Sequence, residues 1–230
     1  MIKIFNKKNL ILILFISLFL VVNIGKIEAQ DNDEVFKDVK LPSNVAELVK
    51  SFSYMSYDIV VINNGQKEQE TTIEYDHLGK ETIDNVETDK VSFIVADSQN
   101  NDMPAEMIFW FDGTEVKKME IDGQTIPAQM AGIMGENLLG AIFSPFYSLS
   151  EYNIDELSKM GQVTHSKEKF GGENIDVTTI VVENIPDYEI EYGVVKIGKY
   201  QGVSFVLSYN YVSSQEDLEI KFNVNEIEFK

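Results

Sequence analysis

Imidazole is the side chain that titrates near neutrality, so proton transfer or metal binding in this 230-residue chain would fall first to His77 and His165. Neither has the surroundings that chemistry needs. His77 stands in Asp76-His77-Leu78-Gly79, which reads as a turn. His165 stands in Thr164-His165-Ser166, within a polar hairpin rich in lysine and glutamate. Both are expected to be solvated loop side chains. No serine lies in a Gly-x-Ser-x-Gly elbow, and there is no pair of histidines in an HExxH helix. With no cysteine, the chain has no thiol nucleophile, no zinc–thiolate site and no disulfide. Paired carboxylates support glycoside hydrolysis, but among 38 acidic residues some pair always falls close, so the type alone selects nothing. The oxygen-rich run Asp97 to Asp102 lacks the sixth-position glycine and closing glutamate of a helix-loop-helix calcium site and reads as a polar loop. No catalytic residue, metal ligand or cofactor is assigned.

The residues that suit binding are apolar. Phe109, Trp110 (the only tryptophan) and Phe111 fall on one predicted strand; Met130, Met134, Leu138, Phe143 and Phe146 fall in one predicted helical insert, Pro127 to Tyr147. Methionine and aromatic side chains adapt to irregular apolar ligands, so this set is the candidate lining of a hydrophobic cavity. An ordinary core sealed by its own helix uses the same residue types. The two readings share an architecture and differ in whether the interior is hollow.

That architecture follows from periodicity. Pro42-Ser43 starts a short helix with Ser43 as N-cap and Val45, Leu48, Val49 and Phe52 on one side. From Tyr54 the period becomes two, with Met55, Tyr57, Ile59 and Val61 inward and Asn63-Asn64-Gly65 turning the chain back through Ile73 and Tyr75. Strands are predicted at Val91–Ala96, Met107–Phe111 and Val116–Ile121. The second is apolar on both faces and should be covered on both or line a cavity. Pro127 to Tyr147 interrupts with a helical stripe, ended by Pro145, and a second, polar helix is predicted over Asp155–Met160. Four further alternating runs follow, through Ile175, Ile190, Phe205 and Phe222, and the apolar parity flips after Val224 as at a bulge. Nine or ten strands in meander order are expected. An antiparallel sheet of that size curls to bury one face, and the helical insert is placed to cover its mouth. The fold class is therefore mainly β, with a short N-terminal helix and an apolar helical lid on a large curled sheet or half-barrel spanning 42–230.

Ahead of it, Lys3, Lys7 and Lys8 precede an apolar stretch from Leu10 to Ile24 and a small residue at Ala29, the layout of an export signal over residues 1–29, with an uncleaved signal anchor as the alternative because Ile27 is large for a cleavage site. Residues 30–41 read as a flexible acidic lead-in. The formal charge of −19, carried against lysine alone because there is no arginine, becomes −22 once four lysines and one glutamate leave with the signal. Such a surface excludes nucleic acid and strong attachment to anionic membranes, and would favour a cationic protein partner. The expected place is periplasmic or extracellular, with no lipid anchor because there is no cysteine to carry one.

The order of elements, with Ile108-Phe109-Trp110-Phe111-Asp112-Gly113-Thr114 ending a strand in Asp-Gly ahead of the helical insert, resembles the Lol-type lipoprotein carriers and the mycobacterial lipid-binding lipoproteins. The resemblance implies an eleven-stranded half-barrel closed by helices, holding acyl chains without catalysis. Two features depart from it. The carriers use an arginine near the mouth to hold the lid closed, and many relatives are lipoproteins; this chain has neither arginine nor cysteine. The expectation is thus an exported, non-catalytic carrier of a lipid or other hydrophobic ligand. A solid acidic envelope or interaction protein is the alternative.

Overall fold

The structure is a computed structural model that describes residues 41–97, 105–147, 161–185, 190–213 and 217–230. The expected export signal, residues 30–40 of the expected lead-in, residues 98–102 of the expected polar loop and the helix expected over Asp155–Met160 lie outside the described residues.

Helix α1 (Val45–Ser51) is capped one residue later than the sequence suggests: Asn44, not Ser43, accepts from the Glu47 N–H. The Glu47 carboxylate accepts from the Ser43 N–H at 2.8 Å, one residue before the N-cap, and so ties down the entry to the helix. Seven residues do not hold a helix alone, and α1 is fixed by burying Leu48 and Val49.

Eleven strands follow: β1 (Phe52–Asn63), β2 (Gln66–Ile83), β3 (Val86–Asp97), β4 (Ala105–Phe111), β5 (Val116–Ile121), β6 (Gln124–Thr125), then helix α2 (Ala128–Tyr147), and β7 (Gln162–Phe170), β8 (Glu173–Ile185), β9 (Ile190–Tyr200), β10 (Val203–Ser213) and β11 (Leu218–Phe229). They form one antiparallel sheet in the order β6-β5-β4-β3-β2-β1-β11-β10-β9-β8-β7. The expectation of nine or ten strands is corrected to eleven, because β6 has two residues and β7 is exposed along nearly its whole length, leaving no apolar alternation to read. Two-residue turns with both central residues at positive φ, such as Asn64-Gly65 and Asp122-Gly123, match the twist of the strands they join. The parity flip after Val224 is a bulge: Ser56 pairs with Glu226 and Tyr57 with Val224, leaving Asn225 extra.

The chain makes two meanders, β1–β6 and β7–β11, joined by β1 against β11. Strands β6 and β7 are the two opposite edges, so the connection carrying α2 leaves the sheet at one edge and rejoins it at the other. That route places α2 across the concave face.

The β4–β5 turn is held by Asp112, whose Oδ1 accepts from the Thr114 and Glu115 N–H groups and the Thr114 hydroxyl, each at 2.8 Å. Burial pushes this carboxyl upward, but those donors and Lys117 outweigh it and hold Asp112 well below the usual carboxylate range. A carboxyl depressed in the folded state stabilises above its unfolded pKa of about 3.9, and that contribution fades as pH falls toward the folded value. Asp112→Ala should therefore flatten the loss of stability in acid below about pH 4, read as urea midpoints against pH. An unchanged acid limb would remove Asp112 from the account.

Candidate functional site

The concave face is built by the inward positions of the central strands. Cross-strand pairing puts Tyr57 beside Ile73, Tyr75 beside Phe93, and Phe93 beside Met107. Tyr57, Tyr75, Phe93 and Phe109 are fully buried. Helix α2 inserts two rings into this surface. Phe143 meets Tyr75 and Phe93 with centroids 5.3 Å away in each case. Phe146 meets Tyr57 and Phe222 at the same distance, edge-on to both rings. Edge-to-face contacts of this kind add about 0.5–1.5 kcal/mol each beyond the area they bury. Beneath the helix the Tyr57 hydroxyl donates to the Ile142 carbonyl at 2.6 Å. Burial and the neighbouring Tyr209 push the Tyr57 phenol well up, so it remains a donor throughout the physiological range.

Pro145 does not end α2 as the sequence suggests; the helix runs on to Tyr147. Proline lacks the N–H that would meet the Ala141 carbonyl four residues back, and the Ser144 hydroxyl takes that place at 2.8 Å. Alanine, leucine, methionine, glutamine and glutamate supply nine good helix formers in α2, but its ends and glycines work against it. Its first turn holds no acid and its last no base, and Gly132, Gly135 and Gly140 lie in its interior, each disfavoured by about 1 kcal/mol relative to alanine. Glu136 is the lone charge in its 20 residues, and no ion pair joins α2 to the sheet among the described residues. The helix is held by apolar packing. Gly135 permits the closest approach: a Cβ there would stand 2.7 Å from Val116 Cγ1 on β5.

Of the residues singled out from sequence, Phe109, Phe111, Leu138, Phe143 and Phe146 come together in the buried cluster, and Met134 packs partly against it. Two do not join. Met130 is 52% exposed, with Ile133 beside it at 71%, so the N-terminal half of α2 shows apolar side chains to solvent. Trp110 points to the convex face, opposite in parity to Phe109 and Phe111 and outside the core cluster. Its ring lies under two lysines, Lys118 Nζ at 4.1 Å and Lys90 Nζ at 4.8 Å from the centroid, and its Nε1–H donates to Glu81 at 2.9 Å. Lys90 and Lys118 are its cross-strand neighbours. The strand apolar on both faces is thus covered by helix on one side and by lysine stems on the other.

His77 differs from the expectation, whereas His165 is exposed on the polar β7–β8 hairpin as expected, on a strand and not in a loop. His77 lies inside β2, not in a turn, at a register shift between His77 and Gly79. Its Nε2 is 2.7 Å from Asp89 Oδ1, and its Nδ1 accepts from the Gly79 N–H at 3.3 Å. Only 12% of the side chain is exposed, and both ring nitrogens are committed to holding the bulge. His165 is on β7 within 3.1 Å of the Thr178 hydroxyl. What sequence reasoning missed at the site is Tyr57, Tyr75 and Asp89. The tyrosines stood on the inward parity of their strands, and nothing local marked Asp89 as the partner of His77.

Two open grooves lie at the margins of this packing. One open groove of about 340 Å³ runs between Val45 and Ala46 of α1, Phe111 and Gly113 at the β4–β5 turn, and Glu136 and Leu139 of α2. A second, of about 370 Å³, lies by Ile62, Val212 and Leu218 with Glu191, Asp217 and Glu219. Among the described residues no group of three or more histidine, aspartate or glutamate side chains is placed to hold a metal ion, and no helix is long and apolar enough to cross a membrane.

No family model and no curated protein matches the sequence. Solved structures similar to it include LolA-superfamily proteins. A chain of the Pseudomonas aeruginosa MucA/MucB complex is 11% identical over 80% of this chain and 54% of that one, with a TM-score of 0.36. MucB by itself is matched over 55% of its length. The lipoprotein LppX of Mycobacterium tuberculosis is 8% identical over 76% of this chain and 86% of its own, with a TM-score of 0.33. A LolA-superfamily protein from Nitrosomonas europaea is 7% identical over 84% and 89%, with a TM-score of 0.26. The chain spans about half the length of the MucB chain it matches.

Proposed function

We propose that the protein is an exported, non-catalytic carrier that takes a lipid or other hydrophobic ligand between the concave face and α2, with α2 as its lid. One observation carries this reading: α2 lies on the concave face with Phe143 and Phe146 against the central strands, and among the described residues no ion pair ties it to the sheet. In the closed state Phe143 and Phe146 occupy the space that an acyl chain would take. Loading exchanges helix-to-sheet contacts for ligand-to-sheet contacts, a swap of one apolar surface for another that requires no charge to be desolvated. The lining is Phe109, Phe111, Met134, Leu138, Phe143 and Phe146, with Tyr57 and Tyr75 added. Met130 enters it on lid movement, and Trp110 stays outside. The engagement of both His77 nitrogens in the β2 bulge supports a non-catalytic reading.

Lipid extraction with native mass spectrometry, and displacement of a fluorescent fatty acid, test this directly. Met134→Asp should weaken uptake of the fluorescent fatty acid by more than about tenfold while lowering the unfolding free energy by less than about 2 kcal/mol, because Met134 is only partly buried. Equal losses in uptake and stability, or no uptake by the unaltered protein, would favour a permanently filled core.

A further inference from the structure

We infer that the outer end of the β2–β3 hairpin, residues 79–88, is a docking arm for an extended segment of a partner protein that alternates basic and aliphatic side chains. Strand β1 pairs with β2 no further than Asp76, and β4 pairs with β3 from Asp89 onward. The five pairs from Gly79↔Lys90 to Ile83↔Val86 thus continue beyond or to the limit of the neighbours on both sides. A two-stranded ribbon has unpaired backbone on both edges, and such edges are templates for another strand. Here the edges are open among the described residues.

The ladder fixes which groups face outward. Asp84-Asn85 closes a two-residue hairpin with both φ values positive, so Ile83 and Val86 exchange their hydrogen bonds with one another. Thr82, one step back, turns its N–H and C=O away from β3. The side chains then select the occupant. Ile83 and Val86 form a cross-strand aliphatic pair at the tip, with Val86 38% exposed, and Leu78 at the bulge is 50% exposed. Beside and on the arm stand Glu74, Asp76, Glu81, Asp84 and Glu87; Glu81 already meets Lys90 and Glu87 meets Lys80, which leaves Asp84 at the tip and Glu74 and Asp76 at its base with no lysine paired to them among the described ion pairs. A strand added along this edge would lay aliphatic groups against the tip and cations among those acids. A second copy of this chain would bring the same acids to the same edge, which disfavours self-pairing.

The arm is separate from the concave face, and its test separates the two readings. The probe is a fluorescently labelled peptide of alternating lysine and valine, with a lysine–glycine peptide of equal charge as control, read by anisotropy on the purified protein. The lysine–valine peptide should bind, weaken with added salt, and lose about tenfold in affinity for Thr82→Pro, which removes the outward N–H but no hydrogen bond of the hairpin. Uptake of fluorescent fatty acid should be unchanged in that variant. Equal binding by both peptides, or by Thr82→Pro and the unaltered protein, would overturn the proposal. So would sedimentation showing a dimer that Thr82→Pro dissolves. If Thr82→Pro does not fold, hydrogen exchange on the unaltered protein decides. Protection by the peptide over residues 80–87 upholds the arm, and protection elsewhere removes it.

Discussion

A disulfide between α2 and β5 is expected to abolish ligand uptake when oxidised and restore it when reduced. The double variant Val116→Cys with Gly135→Cys suits the purpose because a Cβ at Gly135 stands 2.9 Å from Val116 Cβ, so a small outward shift of the helix reaches the roughly 3.5–4.5 Å of a bridge. The chain has no other cysteine, so no competing pair can form. Replacing valine by cysteine also clears the methyl groups that a larger residue at position 135 would meet. The bridge closes a loop of about 20 residues and should raise stability by about 3 kcal/mol if its geometry relaxes. Displacement of a fluorescent fatty acid with and without reductant reads the result. A lid pinned to β5 cannot leave the concave face, whereas a binding site elsewhere on the molecule would ignore the bridge. Equal uptake in both redox states would sink the lid reading while leaving the fold intact.

Phe143→Ala should be the most damaging single truncation, lowering the unfolding free energy by about 3–5 kcal/mol. Phe143 is fully buried and is the ring through which α2 meets both Tyr75 and Phe93. Its removal leaves a cavity under a helix that has no other strong hold on that part of the sheet. Against a total stability of about 5–15 kcal/mol the loss is large. Ile133→Ala, on the exposed side of the same helix, should change stability by no more than about 0.5 kcal/mol. Urea unfolding of the two variants measures the contrast. Similar midpoints would mean that α2 is not packed as described.

Much of this fold was legible because one face of each central strand is buried. Alternation at Tyr57, Ile59 and Val61, the Asn-Gly and Asp-Gly turns, and the parity flip after Val224 each point to a structure that is present. Where burial is absent the sequence carries no such signal. Strand β7 exposes most of its residues, and the distal part of β2 leaves the core beyond Tyr75, so neither announces itself by period. At the candidate site the aromatic residues were readable as a set, but the face of each was not. Trp110 looks like lining because it sits between Phe109 and Phe111; only the cross-strand positions of Lys90 and Lys118 show what covers it. Pro145 reads as a stop until the Ser144 hydroxyl is seen to serve the carbonyl it orphans.

The pairing of β1 with β11 also sets the order of events as the chain folds. The Ser53 hydroxyl donates to the Phe229 carbonyl across 176 residues of sequence. Each meander consists of local hairpins that form early, but the seam between them waits for the last strand. Seams of this separation place such chains among slow folders, with edges open in the meantime. The first meander remains unsealed until the final strand has been made, so its β1 edge is the last to gain its partner.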